Sequence, residues 1–276
     1  MDNEVKIAST QLADIMHNVR IKTYPSGLQE VSCASEPVYR ESGWEVSDKW
    51  SATPRGGGSE ISDSGDNLYR AQRRARMAIR DIALSNEFKY FVTLTLDASK
   101  VDRYDIAAQT KRMNTWLDNR VRRYGLKYVL VPELHKDGAI HYHGFINDAL
   151  GVIDSGTLQS DSARPRKPRS NAERSRLLAS GAHVVYNLPE WKFGFSTAIE
   201  IYGDYRKAVS YVCKYINKAQ QKIGGRWYYS GGDLQKPFVT LSDIDIDDFM
   251  AQNGSEAPTF SRAGVDFCVT YLGGDL

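Results

Sequence analysis

The chain has 276 residues, 41% hydrophobic and 25% charged, with Lys+Arg 36 against Asp+Glu 34. This is the make-up of a soluble globular protein with one large domain, or one domain with long appendages. The net charge of only +2 means that any basic surface must come from clustering.

No apolar run reaches the roughly 18 residues of a membrane span. Asp2 and Glu4, with no apolar segment behind them, argue against a signal peptide. Cys33, Cys213 and Cys268 form neither a CxxC pair nor a zinc spacing. The expected setting is the reducing cytoplasm, with no membrane partner.

Residues 1–65 show little regular pattern and are expected to form a poorly ordered N-terminal extension. It includes a flexible linker at 51–59 and the aromatics Tyr39, Trp44 and Trp50. Asp66 or Asn67 can cap a helix over 68–85 with a buried stripe of Ala71, Ala75, Ala78 and Ile82. Arg70, Arg73, Arg74, Arg76 and Arg80 cover the rest of that helix. Arginine without lysine suits phosphate, although a solvated charged face is the plainer alternative. Phe88–Leu96 alternates apolar residues with Phe91, Thr93 and Thr95, as in a half-buried strand whose second face borders a polar site. A helix over 105–124 follows, with Ile106, Met113, Trp116, Leu117 and Val121 on its apolar side and Gly125 as its stop.

Residues 128–134 and 140–146 read as a hairpin around Asp137-Gly138. On a strand, side chains two apart share a face, so His141 and His143 present two imidazoles together. A two-residue turn would put Glu133 opposite Tyr142. A three-residue loop, Lys136-Asp137-Gly138 with a left-handed glycine, puts Glu133 opposite His141 and is the expected form. Two neutral imidazoles and a carboxylate make a divalent-metal site. His135 shares the parity of Glu133 and is a rival or additional ligand. The alternative is two unrelated histidines packed against aromatics.

Residues 154–180 carry the Pro-rich basic run 162–170, including Arg166 and Lys167, and are expected to be a mobile insertion able to hold a polyanion. Strands are expected near 182–186 and 195–201, then a helix over 205–222 with Val209, Val212, Ile216 and Ile223 buried. Tyr211 and Tyr215 lie one turn apart at the edge of that buried face, flanked by Lys214 and Lys218. Ordinary packing is the alternative for this pair. Residues 225–241 read as a hairpin or loop and strand in which Arg226, Trp227, Tyr228 and Tyr229 offer charge and stacking surface for a single strand. Asp243, Asp245, Asp247 and Asp248 read as a solvated helix start or interaction tail, with 242–276 as a C-terminal tail.

Taken together, these segments resemble the rolling-circle replication initiators of the HUH endonuclease superfamily, from bacterial plasmids and small phages. Phe91-Val92-Thr93-Leu94-Thr95-Leu96 resembles the first motif of that family. His141-Tyr142-His143 with Glu133 resembles the second, metal-binding motif. Tyr211-Val212-Cys213-Lys214-Tyr215-Ile216-Asn217-Lys218 resembles the third, which carries the nucleophile. The motifs come in family order within roughly 66–241.

The resemblance implies an α+β fold: a central antiparallel sheet of about five strands with helices packed mainly on one face. It implies nicking of one DNA strand by Tyr211 or Tyr215, with Tyr211 placed first, leaving a 5′-phosphotyrosine and a free 3′-hydroxyl that can later rejoin the strand. Lys214 or Lys218 would assist the phenol or bind phosphate. Mn²⁺ or Mg²⁺ would sit on His141, His143 and Glu133, while Arg73, Arg76, Arg80, Arg166, Lys167, Arg226 and Trp227 would contact DNA. The implied partners are single-stranded or hairpin origin DNA, a host helicase and a DNA polymerase. No GxxxxGK[ST] phosphate loop is present. The rival readings are a relaxase or transposase of the same chemistry, and a non-catalytic module for single-stranded nucleic acid.

Overall fold

The computed structural model describes residues 15–40, 64–160 and 164–273. The chain falls into two compact units, Ser59–Lys236 and a second made of Met1–Gly58 with Pro237–Asp275. The N-terminal part supplies β1 (Met16–His17), β2 (Val19–Thr23), β3 (Gln29–Ala34) and β4 (Tyr39–Arg40). Next come α1 (Ser64–Ser85), β5 (Tyr90–Leu96), α2 (Ile106–Tyr124), β6 (Tyr128–Leu134) and β7 (Ile140–Ile146). They are followed by β8 (Ile153–Gln159), α3 (Asn171–Ala179), β9 (His183–Asn187), β10 (Gly194–Glu200) and α4 (Tyr205–Lys218). The chain continues through β11 (Tyr229–Gly231), β12 (Phe238–Ser242), α5 (Ile246–Gln252), β13 (Phe260–Arg262) and β14 (Val265–Leu272).

The first unit is α+β, built on an antiparallel sheet in the order β11-β6-β7-β5-β10-β9-β8. It has seven strands where about five are expected, because β11 and β8 extend it at either edge. Strand alternation sorts its side chains into two cores. Tyr90, Val92, Leu94, Leu96, Tyr128, Leu130, Ile140 and Tyr142 pack with Met113, Trp116 and Leu117 of α2. Val129, Val131 and Phe145 pack with Ala75, Ile79 and Ala83 of α1 and with Val209, Val212, Tyr215 and Ile216 of α4. Helices therefore cover both faces, not mainly one. A strand buried on both sides needs an apolar cover for each parity, and β6 is buried from Tyr128 through Pro132.

Two helix stripes differ in detail from expectation. The buried row of α1 is Ala75, Ile79 and Ala83, one position on from the expected Ala78 and Ile82. The helix starts at Ser64, so Asp66 and Asn67 lie inside it. Helix α4 ends at Lys218, and Ile223 beyond it joins the α2-side core instead of continuing the stripe.

The expected mobile insertion is in part regular structure. Residues 153–159 are strand β8, and 171–179 are α3, capped by the Ser170 hydroxyl accepting from the Glu173 amide at 3.1 Å. Ser162 and Ala163 lie outside the described residues. The linker 51–59, Trp44 and Trp50 also fall outside them.

In the second unit, β12-β2-β3-β14-β13 form a five-stranded antiparallel sheet. Val19, Val31, Cys33 and Cys268 pack beneath Phe249 of α5. Residues 16–40 thus supply strands, not a poorly ordered extension, and 242–272 supply a helix and two strands, not only a tail. The overlooked signal was Val19-Arg20-Ile21-Lys22-Thr23, whose alternation needs a distant partner to become a strand. Asp245 caps α5 by accepting from the Asp247 and Asp248 amides, so the acidic run is a helix start. Residues 225–241 do not pair as one hairpin, since β11 and β12 belong to different sheets.

Candidate active site

Strands β6, β7 and β5 bring the metal-type residues together by register. Glu133 lies opposite His141, which lies opposite Thr95. Val131, His143 and Thr93 form the next row. The three-residue loop sets this register: the His135 amide donates to the Ala139 carbonyl at 2.8 Å, and Gly138 turns the chain at φ +87°.

The threonines orient the imidazoles. Thr93 Oγ1 lies 3.1 Å from His143 Nδ1, and Thr95 Oγ1 lies 3.5 Å from His141 Nδ1. Each hydroxyl occupies one ring nitrogen and leaves Nε2 available, the usual second layer of a histidine metal site. His143 Nε2 is buried without a hydrogen-bond partner, although Glu133 Oε2 is 3.1 Å away as an ion-pair neighbour. Burial pushes the His143 pKa down to about 4 and lowers that of His141, so both rings are held neutral at neutral pH. Neutral imidazole is the form that ligates.

The donor types and the orphaned Nε2 fit a divalent cation. Among the described residues, no three His, Cys, Asp or Glu side chains already stand close enough together to hold one. Part of the reason is His141, whose ring stacks on His135 at 5.0 Å between centroids. His135 is in turn held by Asp137, with Nδ1 3.2 Å from its carboxylate, and Arg103 donates to that carboxylate at 2.8 Å.

Helix α4 brings the phenols to the same place. Val209, Val212 and Ile216 bury one stripe of α4, and Tyr215 follows at its margin, 8% exposed. Its ring lies flat on the His143 imidazole, 4.2 Å between centroids and 4° between planes. Its hydroxyl donates to the Tyr211 hydroxyl at 3.1 Å. Tyr211 is 47% exposed and rests edge-on against Phe91 at 5.6 Å. Burial first, and then the bond to Tyr211, push the Tyr215 phenol well above its ordinary pKa. Lys218 Nζ sits 5.0 Å over the Tyr215 ring and 3.5 Å from Glu133 Oε1, and Lys214 Nζ sits 5.8 Å over the Tyr211 ring.

Residues 89–220 match a family model described as replication-associated protein, of the ORF2 type. The match supports a Rep-type replication initiator. No curated protein and no solved structure matched the chain. The matched segment runs from just before β5 to just past α4, so it holds every Rep-like residue of the site described above.

The residues expected to contact DNA are more scattered. On α1, Arg73, Arg76 and Arg80 are half-buried, and Arg76 bonds the Asn217 side chain, tying α1 to α4. Arg166 is exposed but pairs with Glu173 at 2.8 Å, whereas Lys167 is exposed beside it. Arg226 lies over the Tyr229 ring at 5.4 Å. Trp227 is not an open stacking platform: it packs against the α1/α4 core, as does Tyr228, while Tyr229 is buried in the α2-side core. Neighbouring aromatics on an extended segment turn to different faces, so both cores claim them. The contacts of Asn217, of Phe91 and of the Arg103–Asp137 pair escaped the sequence reading, because each acts through a partner distant in the chain.

Proposed function

We propose that this Rep-type initiator nicks and rejoins one DNA strand through a tyrosine ester. The observation that carries the reading is the Tyr215 ring stacked on His143 while its hydroxyl reaches Tyr211. Phenols from one helix and imidazoles from one strand thereby meet over a single patch.

In this reading the Tyr211 oxygen attacks the phosphorus of a phosphodiester. A bond forms between that oxygen and phosphorus, and the bond to the 3′-oxygen breaks. The phenolic proton leaves to solvent and the departing 3′-oxygen takes one up, so atoms and charge balance. Tyr211 acts first because it is exposed and accepts a hydrogen bond, whereas Tyr215 is buried and held protonated. Lys214 supplies positive charge beside Tyr211, which favours an incoming phosphate and stabilises the phenolate. Lys218 neutralises Glu133. His141, His143 and Glu133 would hold Mn²⁺ or Mg²⁺, which when bound supplies charge stabilisation for the phosphoryl oxygens. The same ester, attacked by a later 3′-hydroxyl, reseals the strand.

A pool of random-sequence single-stranded oligonucleotides incubated with the protein and Mn²⁺ tests this. A denaturation-resistant protein–DNA adduct is expected with wild type, is lost on chelation, and is reduced at least roughly 100-fold in Tyr211→Phe, the scale for loss of a nucleophile. The second reading, a binding module without chemistry, draws on the lack of three close metal donors among the described residues. Binding with no adduct under any metal would establish that reading and end the first.

A further inference from the structure

The row of opposed residues through the site does not stop at β5. Thr95 lies opposite Phe195 of β10, and Thr93 lies opposite Thr197. Directly opposed residues of an antiparallel sheet share a face. Phe195 and Thr197 therefore stand on the face of His141 and His143, while Ser196 and Ala198 turn into the opposite, buried side. Helices α1 and α4 cover β6, β7 and part of β5 on this face. Phe195 is 68% exposed, among the most exposed large apolar side chains in the described residues.

Two strand spacings of about 4.8 Å separate Phe195 from His141, roughly 10 Å along the sheet. Tyr211 leans on Phe91, and Phe91 lies opposite Ile199 of the same β10. One strip of β10 thus runs alongside both the tyrosine and the histidine ends of the site. It offers a hydroxyl at Thr197, then a bare ring at Phe195. A lone exposed phenylalanine is ordinary; one in register with an imidazole pair and a threonine row is placed for a ligand that spans them.

We infer that Phe195 is a stacking platform for an unpaired nucleobase next to the phosphate held at the His141/His143/Tyr211 patch. A flat ring on an open sheet suits a base of any identity, since every base presents a face. Thr197 between platform and tyrosine can bond backbone or sugar oxygens. The inference rests on the proposed nicking site for the position of the phosphate, but it concerns binding and needs no chemistry.

Fluorescein-labelled dT₂₀ titrated into the full chain, without metal, tests it by anisotropy. Phe195→Ala is expected to weaken binding roughly 5- to 150-fold, the range for loss of one base stack. Phe195→Trp should stay within about twofold of wild type, and Phe195→Leu should behave as Ala, because area without a π-face does not stack. Ultraviolet crosslinking of an oligonucleotide carrying 5-iododeoxyuridine should attach at Phe195 in a mass-mapped peptide. Equal affinity for wild type and Phe195→Ala, or full rescue by Leu, overturns the inference. Failure here leaves the Tyr211 adduct intact, whereas failure of the nicking reading leaves the Phe195-dependent dT₂₀ affinity intact, so the two results separate.

Discussion

At the scale of single residues, the two threonines of β5 do more than fill a polar face. Each stands on the Nδ1 side of a histidine, and a rotated His143 imidazole would turn Nε2 away from Glu133. Thr93→Val keeps the shape and removes the hydroxyl. It is expected to raise the Mn²⁺ needed for half-maximal adduct formation by about 10- to 100-fold, the usual cost of losing an outer partner of a metal ligand. Its thermal midpoint should stay close to wild type, and a metal titration of the adduct assay reads the difference. The histidine pair, its carboxylate and the paired tyrosines were all legible in sequence, because a strand and a helix each impose a short, fixed period. What the period cannot give is the stacking of Tyr215 on His143 or of His141 on His135. Those depend on how far α4 and the loop at 135–138 reach across the sheet.

At the scale of elements, α4 is the part that sets the phenols against the imidazoles. Its buried stripe, Val209, Val212 and Ile216, anchors it on β6 and β7, and Gln72 of α1 braces its end by donating to the Ala219 carbonyl at 2.7 Å. Ile216 is fully buried. Ile216→Ala should cost about 2–5 kcal/mol of stability, measured by denaturant unfolding. Tyr211→Phe, at an exposed position, should leave stability within about 0.5 kcal/mol. The hairpin β6–β7 was readable to the register because only a three-residue loop with a left-handed glycine satisfies both the parity of Glu133 and the Asp137-Gly138 signal. The edge strand β8 was not readable. Asp154, Ser155 and Gly156 look like loop, and their strand exists because β9 offers a ladder, with a register shift between Asp154 and Thr157.

At the scale of the whole molecule, tyrosine burial makes the fold sensitive to alkali. Burial pushes the Tyr128 phenol up from 10.0 to about 12, and it raises Tyr142, Tyr205 and Tyr215 further. A phenol whose pKa is higher folded than unfolded stabilises the fold fully below about pH 10, and that contribution is lost as pH rises through roughly 12 and beyond. Thermal midpoints should therefore be flat in this respect up to about pH 10 and fall steeply above it. The tyrosinate absorbance of these four residues should appear together with unfolding and not before it. A smooth, early titration of all tyrosines in the folded protein would count against these burials. No helix among the described residues is long and apolar enough to cross a membrane.

The sheet shared by β2, β3, β12 and β14 joins parts of the chain that are made at very different times. Its side-chain bonds reach between residues 226 and 231 positions apart, His17 with Asp243 and Ser35 with Asp266. The intervening Ser59–Lys236 unit draws all its strands from one continuous stretch. During vectorial synthesis that unit can close on itself while the β2–β3 hairpin still waits for its neighbours. The hairpin's open edges are then exposed throughout that interval, which makes them the segment most in need of chaperone cover. A ribosome-stalled chain ending at Lys236 would carry a closed α+β unit and an orphaned hairpin at once.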